Sequence, residues 1–197
     1  MTITNEQREL LTTIVANKEN LEELLRIASV KSISGKDIQM KESIEIADIA
    51  WSKFAEDENG NAYMLADNVI CKSKFGKNNN WRESCIRNDV LQNLYIKMAE
   101  EIGAENMILF KTDLFSCDGL RDYGEVEERI SILTYDLYRN NRKNIKEINK
   151  AYWLSTPDST PSGCGSDGVR YVCSFGYVSC DWCDDVRGVR PFFILKA

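Results

Sequence analysis

After Lys150 the chain changes character. From Ala151 to Leu195 it contains no Lys, Glu, Gln, Asn or Met, although the first 150 residues are rich in all of these except Met. Ser, Gly, Asp, Cys, Tyr, Val and Arg stand in their place. The segment still carries an order signal, because Tyr171 to Trp182 alternates as a strand does. One parity holds Val172, Ser174, Gly176, Val178, Cys180 and Trp182; the other holds Tyr171, Cys173, Phe175, Tyr177, Ser179 and Asp181. Gly176 interrupts the run and marks a turn or bulge, so the two faces do not carry through it. Rigid aromatics among small polar residues are a recognition chemistry, giving large contact area at low entropic cost with adaptable hydrogen bonding. The competing reading is a loop-rich end of the core sheet with its aromatics buried.

The rest of the composition narrows the class. With 197 residues, the chain is long enough for one domain, or one domain plus an appended segment, with a sizeable core. A 28% charged fraction beside 43% hydrophobic residues is ordinary globular chemistry. Apolar runs are short, Phe192 to Leu195 being typical, so no membrane insertion is expected. A net charge of -6 argues against nucleic acid as a partner, since duplex affinity comes from Lys and Arg on phosphates. No histidine is present, which removes Ser-His-Asp and Cys-His catalysis and His-ligated metals. The N-terminus lacks a basic flank and an apolar stretch, so synthesis in the cytoplasm without a signal peptide is expected. Reduced thiols follow from that compartment, and the odd count of seven cysteines leaves at least one unpaired within the chain.

Along the chain, residues 1–32 read as a helical segment. Leu10, Leu11, Ile14, Leu21, Leu24, Leu25 and Ala28 form one stripe, with Thr4/Gln7 and Asn20/Glu23 as capping pairs. The stripe suits an oligomerising coiled coil with Asn17 as a polar register residue, or an amphipathic helix docked on its own domain. Residues 33–197 form the second unit. Strands are expected at Ser43 to Ile46, Ile49 to Phe54 and Ala62 to Ala66, with a tight turn at Asn59-Gly60. Lys72 to Asn80 reads as a polar loop and Trp81 to Ile102 as a helix stopped by Gly103. Met107 to Phe115 and Arg129 to Thr134 read as strands around a turn-rich acidic segment. Tyr135 to Ile148 reads as a short helix plus a basic loop, whose Arg139, Arg142, Lys143 and Lys146 are best explained as a solvated face.

Four stretches then suggest a family. They are Asn80-Trp81-Arg82-Glu83-Ser84-Cys85-Ile86-Arg87, the strand near Ile130 to Thr134, Tyr152-Trp153-Leu154-Ser155-Thr156-Pro157, and Gly188-Val189-Arg190-Pro191-Phe192-Phe193. In this order they resemble uncharacterised bacterial and phage domains with the patterns N-W-x-x-S-x-[IL]-R, W-W-L-R-S-P and a terminal G-V-R-P. Tyr152 replaces the first Trp of the second pattern, and Ser155-Thr156 replaces Arg-Ser. The resemblance covers residues 43–197 and implies an α+β domain of C-type-lectin-like fold, in the branch of the formylglycine-generating enzymes. Such a domain has a small twisted antiparallel sheet, two flanking helices and a loop-rich C-terminal face. It implies structural roles for Trp81, Arg87, Trp153, Gly188, Arg190 and Pro191, with Arg190 tying the last strand to a carboxylate or to carbonyls.

The same fold is the scaffold of proteins diversified by retroelements, in which adenines of AAC-type codons are replaced at random. Such replacement yields Ser, Gly, Asp, Cys, Tyr, Phe, Arg or Val but not Lys, Glu, Gln, Met or Trp. The stretch after Lys150 fits that restriction, with Trp153 and Trp182 as fixed positions and residues 156–187 as the variable-like region.

Other chemistries fit less well. Cys164, Cys173, Cys180 and Cys183 offer one C-x-x-C pair but not the second that a zinc ribbon needs, so no metal is expected. The same pair lacks the strand-to-helix context of a redox site. Asp158, Asp167, Asp181 and Asp184 lack the calcium motifs of sugar-binding lectins. The expected function is therefore non-enzymatic and without cofactor: binding of a cell-surface protein or glycan by a phage- or prophage-derived receptor-binding protein or adhesin. Tyr171, Phe175, Tyr177, Asp181, Trp182 and Asp184 are the expected contacts, with Cys173, Ser179 and Cys180 as adaptable neighbours. The N-terminal helix would provide a homo-oligomer or attachment to a virion. A virion decoration subunit, or a cysteine-metal oxidase of the formylglycine-generating type, are the alternatives.

Overall fold

A computed structural model describes residues 33–197 together with Val15, Lys18, Leu21 and Lys31. The expected helical segment over 1–32 lies outside the described residues, apart from Val15, Lys18 and Leu21, which are helical and exposed, and Lys31.

The first hairpin joins β1 (Ser43–Ile46) to β2 (Ile49–Glu56) through Ala47 and Asp48. Both turn residues have positive φ, 52° and 58°, the geometry whose twist matches paired strands. Asn59-Gly60, expected to hold the tight turn, instead lies in a wider loop. There the Asp57 carboxylate accepts from the backbone N–H of Asn59 and Asn61. β3 (Ala62–Ala66) returns antiparallel to β2, with a bulge between Lys53 and Ala55. β4 (Cys71–Lys74) occupies the start of the stretch expected to be a polar loop. Its alternating half-buried and exposed residues pair with a strand more than one hundred positions away, so local composition does not disclose it.

The helix expected over 81–102 is broken. Trp81–Glu83 is a 3-10 turn, Ile86–Leu91 is π-helical, and α1 (Gln92–Ile102) is regular, ending at Gly103 with φ 80°. The break follows from Ser84, whose hydroxyl donates to Phe75 O at 2.6 Å and accepts from Ile86 N at 3.1 Å. A hydroxyl engaged with both chain segments takes the place of the regular ladder. β5 (Phe110–Asp113) and β6 (Glu125–Glu128) pair with each other, and β6 lies within the segment expected to be turns. β7 (Ile130–Ile132) precedes α2 (Tyr135–Asn141), whose first turn is capped by Thr134 Oγ1 accepting from Leu137 N.

The last five strands are β8 (Tyr152–Pro157), β9 (Gly168–Val172), β10 (Val178–Trp182), β11 (Val186–Val189) and β12 (Pro191–Leu195). One five-stranded sheet has the order β1-β2-β3-β12-β7 and is antiparallel throughout. The other has the order β10-β9-β8-β11-β4, with β8 and β11 parallel. The fold is α+β, dominated by sheet. It is larger in strand content than the single small sheet expected, because β4 and β6 emerge from segments without a clear strand pattern, whereas β5 lies within the strand expected over Met107 to Phe115.

β12 shows why its sequence is uniformly apolar. Phe193 and Leu195 enter the core cluster of Trp51, Trp81 and Trp153, while Phe192 and Ile194 enter the second cluster with Phe54, Tyr138 and Leu154. A strand buried on both faces has no solvent side to mark with polar residues. Arg190 lies at the step from β11 in one sheet to β12 in the other. Its buried guanidinium donates to Ala66 O (2.8 Å), Lys146 O (2.9 Å) and the Tyr152 hydroxyl (3.3 Å). The carbonyls, rather than a carboxylate, are thus its main partners. Pro191 opens β12, a position that tolerates a missing donor.

Asn80 to Arg87 converges on Glu128. Trp81 Nε1 donates to both carboxylate oxygens (3.1 and 3.0 Å), Thr112 Oγ1 to one (2.8 Å), and Arg87 Nε to the other (3.1 Å). Trp153 is fully buried and donates Nε1 to Ser73 O at 3.0 Å, locking β8 to β4. Gly188 has no room for a side chain, since a Cβ there would overlap Val69 and come within 2.8 Å of Ala151 O.

Candidate ligand-binding face

β9 and β10 form a hairpin at one edge of the second sheet, and its turn runs from Cys173 to Tyr177. Cys173 N donates to Tyr177 O and Gly176 N to Cys173 O, both at 2.9 Å. Gly176 has φ 78°, so the interruption in the alternation is a turn, which needs a residue free to adopt that conformation. The turn is tied to α2, because Tyr138 Oη donates to Gly176 O at 2.6 Å.

This placement turns Phe175, Tyr177 and Trp182 outward, with 79%, 57% and 63% of their surface exposed. Val186, on β11 farther across the same sheet, is also exposed. The Phe175 and Tyr177 rings stack with centroids 6.5 Å apart and planes 10° apart. Tyr171 differs from these three. It is half-buried, packs edge-on against Trp153 (6.2 Å), and lies beneath the Arg187 guanidinium (5.1 Å). Its ring supports the face more than it forms it. Asp181 pairs with Arg187 over that ring, and Ser179 stands opposite Tyr171 in the ladder. Asp184 is exposed beyond the end of β10.

The other hairpin face carries Arg170 opposite Cys180, with Arg170 paired to Asp158. Neither Arg170 nor Arg187 stands out in the sequence, and Asp158 does so only as a calcium candidate, because which residues face each other depends on register. Asn79 is likewise not evident from sequence. It is fully buried, donates Nδ2 to Ser159 O and Gly168 O (2.9 Å each), and accepts from Tyr123 Oη (2.7 Å). Ser159 donates to Asp118 at 2.7 Å, and the Ser162 hydroxyl and N–H reach Asp122 at 2.8 and 3.0 Å. The 158–167 loop is therefore fastened to the scaffold through side chains at both ends.

The cysteines of the face sit in different electrostatic settings. Desolvation raises the Cys173 thiol, but N–H groups of Phe175 and Tyr177 and the Tyr177 hydroxyl outweigh it and leave the thiol below its ordinary value. Phe175 N reaches Cys173 Sγ at 3.4 Å. Burial and the nearby Asp158 carboxylate push the Cys180 thiol up to about 11. Burial, Asp167 and Asp184 raise that of Cys183. Cys164 lies exposed in the 158–167 loop. Among the described residues, no three Cys, Asp or Glu side chains are grouped to hold a metal ion, and all seven cysteines are free thiols.

Two hollows border α2, and the first of them also borders the hairpin. One of about 510 Å3 lies between its tip and the segment from Tyr138 to Asn149, with Arg142, Glu147 and Cys173 on its wall. A second, of about 580 Å3, opens where β5 diverges from β12, floored by Phe110, Phe192 and Ile194. Among the described residues, no helix is long and apolar enough to cross a membrane. The chain matches no protein-family model, no curated protein and no solved structure.

Proposed function

We propose that this chain is a non-enzymatic binding protein of C-type-lectin-like architecture, whose β9–β10 end recognises a protein or glycan on a cell surface. Its setting is a phage or prophage particle, where multiple copies held through the N-terminal segment turn modest affinity into adhesion. The observation that carries this reading is the outward position of Phe175, Tyr177 and Trp182 on one ordered hairpin. Three large exposed rings on one hairpin, two stacked at its tip and one at the far end of β10, cost hydration without helping the fold, and rings of this kind are the usual energetic anchors of interfaces. The anchoring of the adjoining loop through Asn79 supports it further, since a rigid mount loses little entropy on binding. The restricted composition of 156–187 supports diversification by a retroelement.

The test is binding of the full chain to candidate host cells, beside a variant carrying Phe175→Ala, Tyr177→Ala and Trp182→Ala. At about 2 kcal/mol for each central anchor, the variant loses at least about a hundredfold in apparent affinity. Its unfolding free energy stays within about 0.5 kcal/mol of the parent, because the removed rings face solvent. Unchanged cell binding would reject the reading. For diversification, the flanking DNA must hold an adenine-rich near-repeat of this region and a reverse transcriptase; their absence removes that part alone.

A further inference from the structure

The hairpin has a second feature besides its aromatics. β10 is the outermost strand of its sheet, so half of its backbone hydrogen-bonding groups face away from β9. Which half is set by the bonds at either end. Cys173 N donates to Tyr177 O, and Cys183 N donates to Asp167 O at 2.7 Å, so the bonded pairs between them are Tyr171/Ser179 and Val169/Asp181. Val178, Cys180 and Trp182 therefore point their N–H and C=O groups outward. Trp182 uses its own locally, donating to Asp181 Oδ1 (3.1 Å) and accepting from Asp185 N (3.0 Å). The N–H and C=O of Val178 and of Cys180 have no partner among the described residues.

Open strand edges are ordinarily guarded, most often by lysine, proline or a bulge. The opposite edge of the same sheet follows that rule, since β4 carries exposed Lys72 and Lys74. At the β1 edge of the other sheet, Lys31 Nζ covers Glu45 O at 2.9 Å. β10, with the sequence Val-Ser-Cys-Asp-Trp, has no such device.

Charge indicates what fits there. Asp158 and Asp181 are neutralised by Arg170 and Arg187, but Asp167, Asp184 and Asp185 stand around the Trp182 end without an ion pair among the described residues. A cation passing Trp182 would meet both an aromatic face and uncompensated carboxylates. A second copy of β10 would instead bring like charges together.

We propose that the edge of β10 receives an extended basic segment of a protein ligand as an added strand. Val178 and Cys180 would supply the main-chain bonds, and a Lys or Arg of the segment would lie against Trp182. This rests on the binding function proposed above and specifies a protein, not a glycan, as what is bound.

The experiment follows amide hydrogen exchange in the full chain with a short peptide of alternating Val and Lys at millimolar concentration. Exchange at Val178 and Cys180 slows by at least about tenfold, while that of Ser179 and Asp181, already bonded to β9, changes little. Glu in place of Lys, or N-methylation along one peptide edge, abolishes the protection. No protection at Val178 and Cys180, or protection indifferent to N-methylation, would overturn the proposal. So would cell binding that survives protease treatment of the cells and is lost on periodate oxidation of their glycans. In each of these cases, adhesion that still depends on the three aromatics leaves the broader binding function standing; adhesion independent of them removes it.

Discussion

The ring of Phe175 lies 10° from parallel with that of Tyr177, two residues on, and the residue between them is the one with φ 78°. The turn brings the rings to the same side of the hairpin tip, which strict alternation through Gly176 would do only along a straight strand. A side chain at Gly176 is disfavoured by that φ, and its Cβ would come within 3.2 Å of the Arg142 guanidinium. Gly176→Ala should therefore cost about 1–2 kcal/mol of stability. It should also weaken cell binding more than that loss alone predicts, because the two rings part. Denaturant unfolding beside a binding isotherm checks both.

Glu128 supplies a second measurable claim. Its carboxylate accepts from Trp81, Thr112 and Arg87, and is itself buried. Glu128→Ala leaves an indole N–H and a partly buried guanidinium without their acceptor. The expected loss is about 3 kcal/mol, with Glu128→Gln falling between variant and parent. Equal stabilities by urea titration would show that the contacts contribute nothing net.

Tyr152 predicts a pH effect. Burial, only partly offset by Arg190, pushes its phenol from the ordinary 10.0 up to about 12. Below pH 10 the phenol is neutral in both states and its contribution is complete. Between pH 10 and 12 the unfolded chain loses its proton while the folded chain retains it, so stability falls as pH rises, by roughly 3 kcal/mol. The difference in slope between the parent and Tyr152→Phe over that range isolates this group from the titrating lysines.

The thiols of the face should differ in reactivity. Cys173, held below its ordinary value, should be alkylated by iodoacetamide at pH 8 well ahead of Cys180, which stands at about 11. Mass spectrometry of peptides at short reaction times gives the order, and faster labelling of Cys180 would contradict the assigned environments.

Sequence patterns disclosed those elements whose own side chains record their surroundings. Ile49–Glu56 and Ala62–Ala66 were legible because their apolar residues are dense, and the C-terminal hairpin because its alternation broken at Gly176 resembles two strands and a turn. β4 and β6 were not legible. Their short stretches, Cys-Lys-Ser-Lys and Glu-Val-Glu-Glu, are strands because partners distant in the chain, β11 and β5, complete their hydrogen bonds. The break at Ser84 was hidden for the same reason: its cause is a carbonyl nine residues back, on Phe75.

The candidate site divides along the same line. Composition alone determined that the tail after Lys150 is rich in aromatics and small polar residues, because residue type depends on nothing else. Whether each ring faces outward depended on pairing. Phe175, Tyr177 and Trp182 are exposed since they sit at the tip and end of an outermost strand, while Tyr171, of the same parity as Phe175 and Tyr177, is drawn down onto Trp153 under Arg187. A strand's two faces are identical in local geometry, and only the sheet and core packed against them decide which one meets solvent.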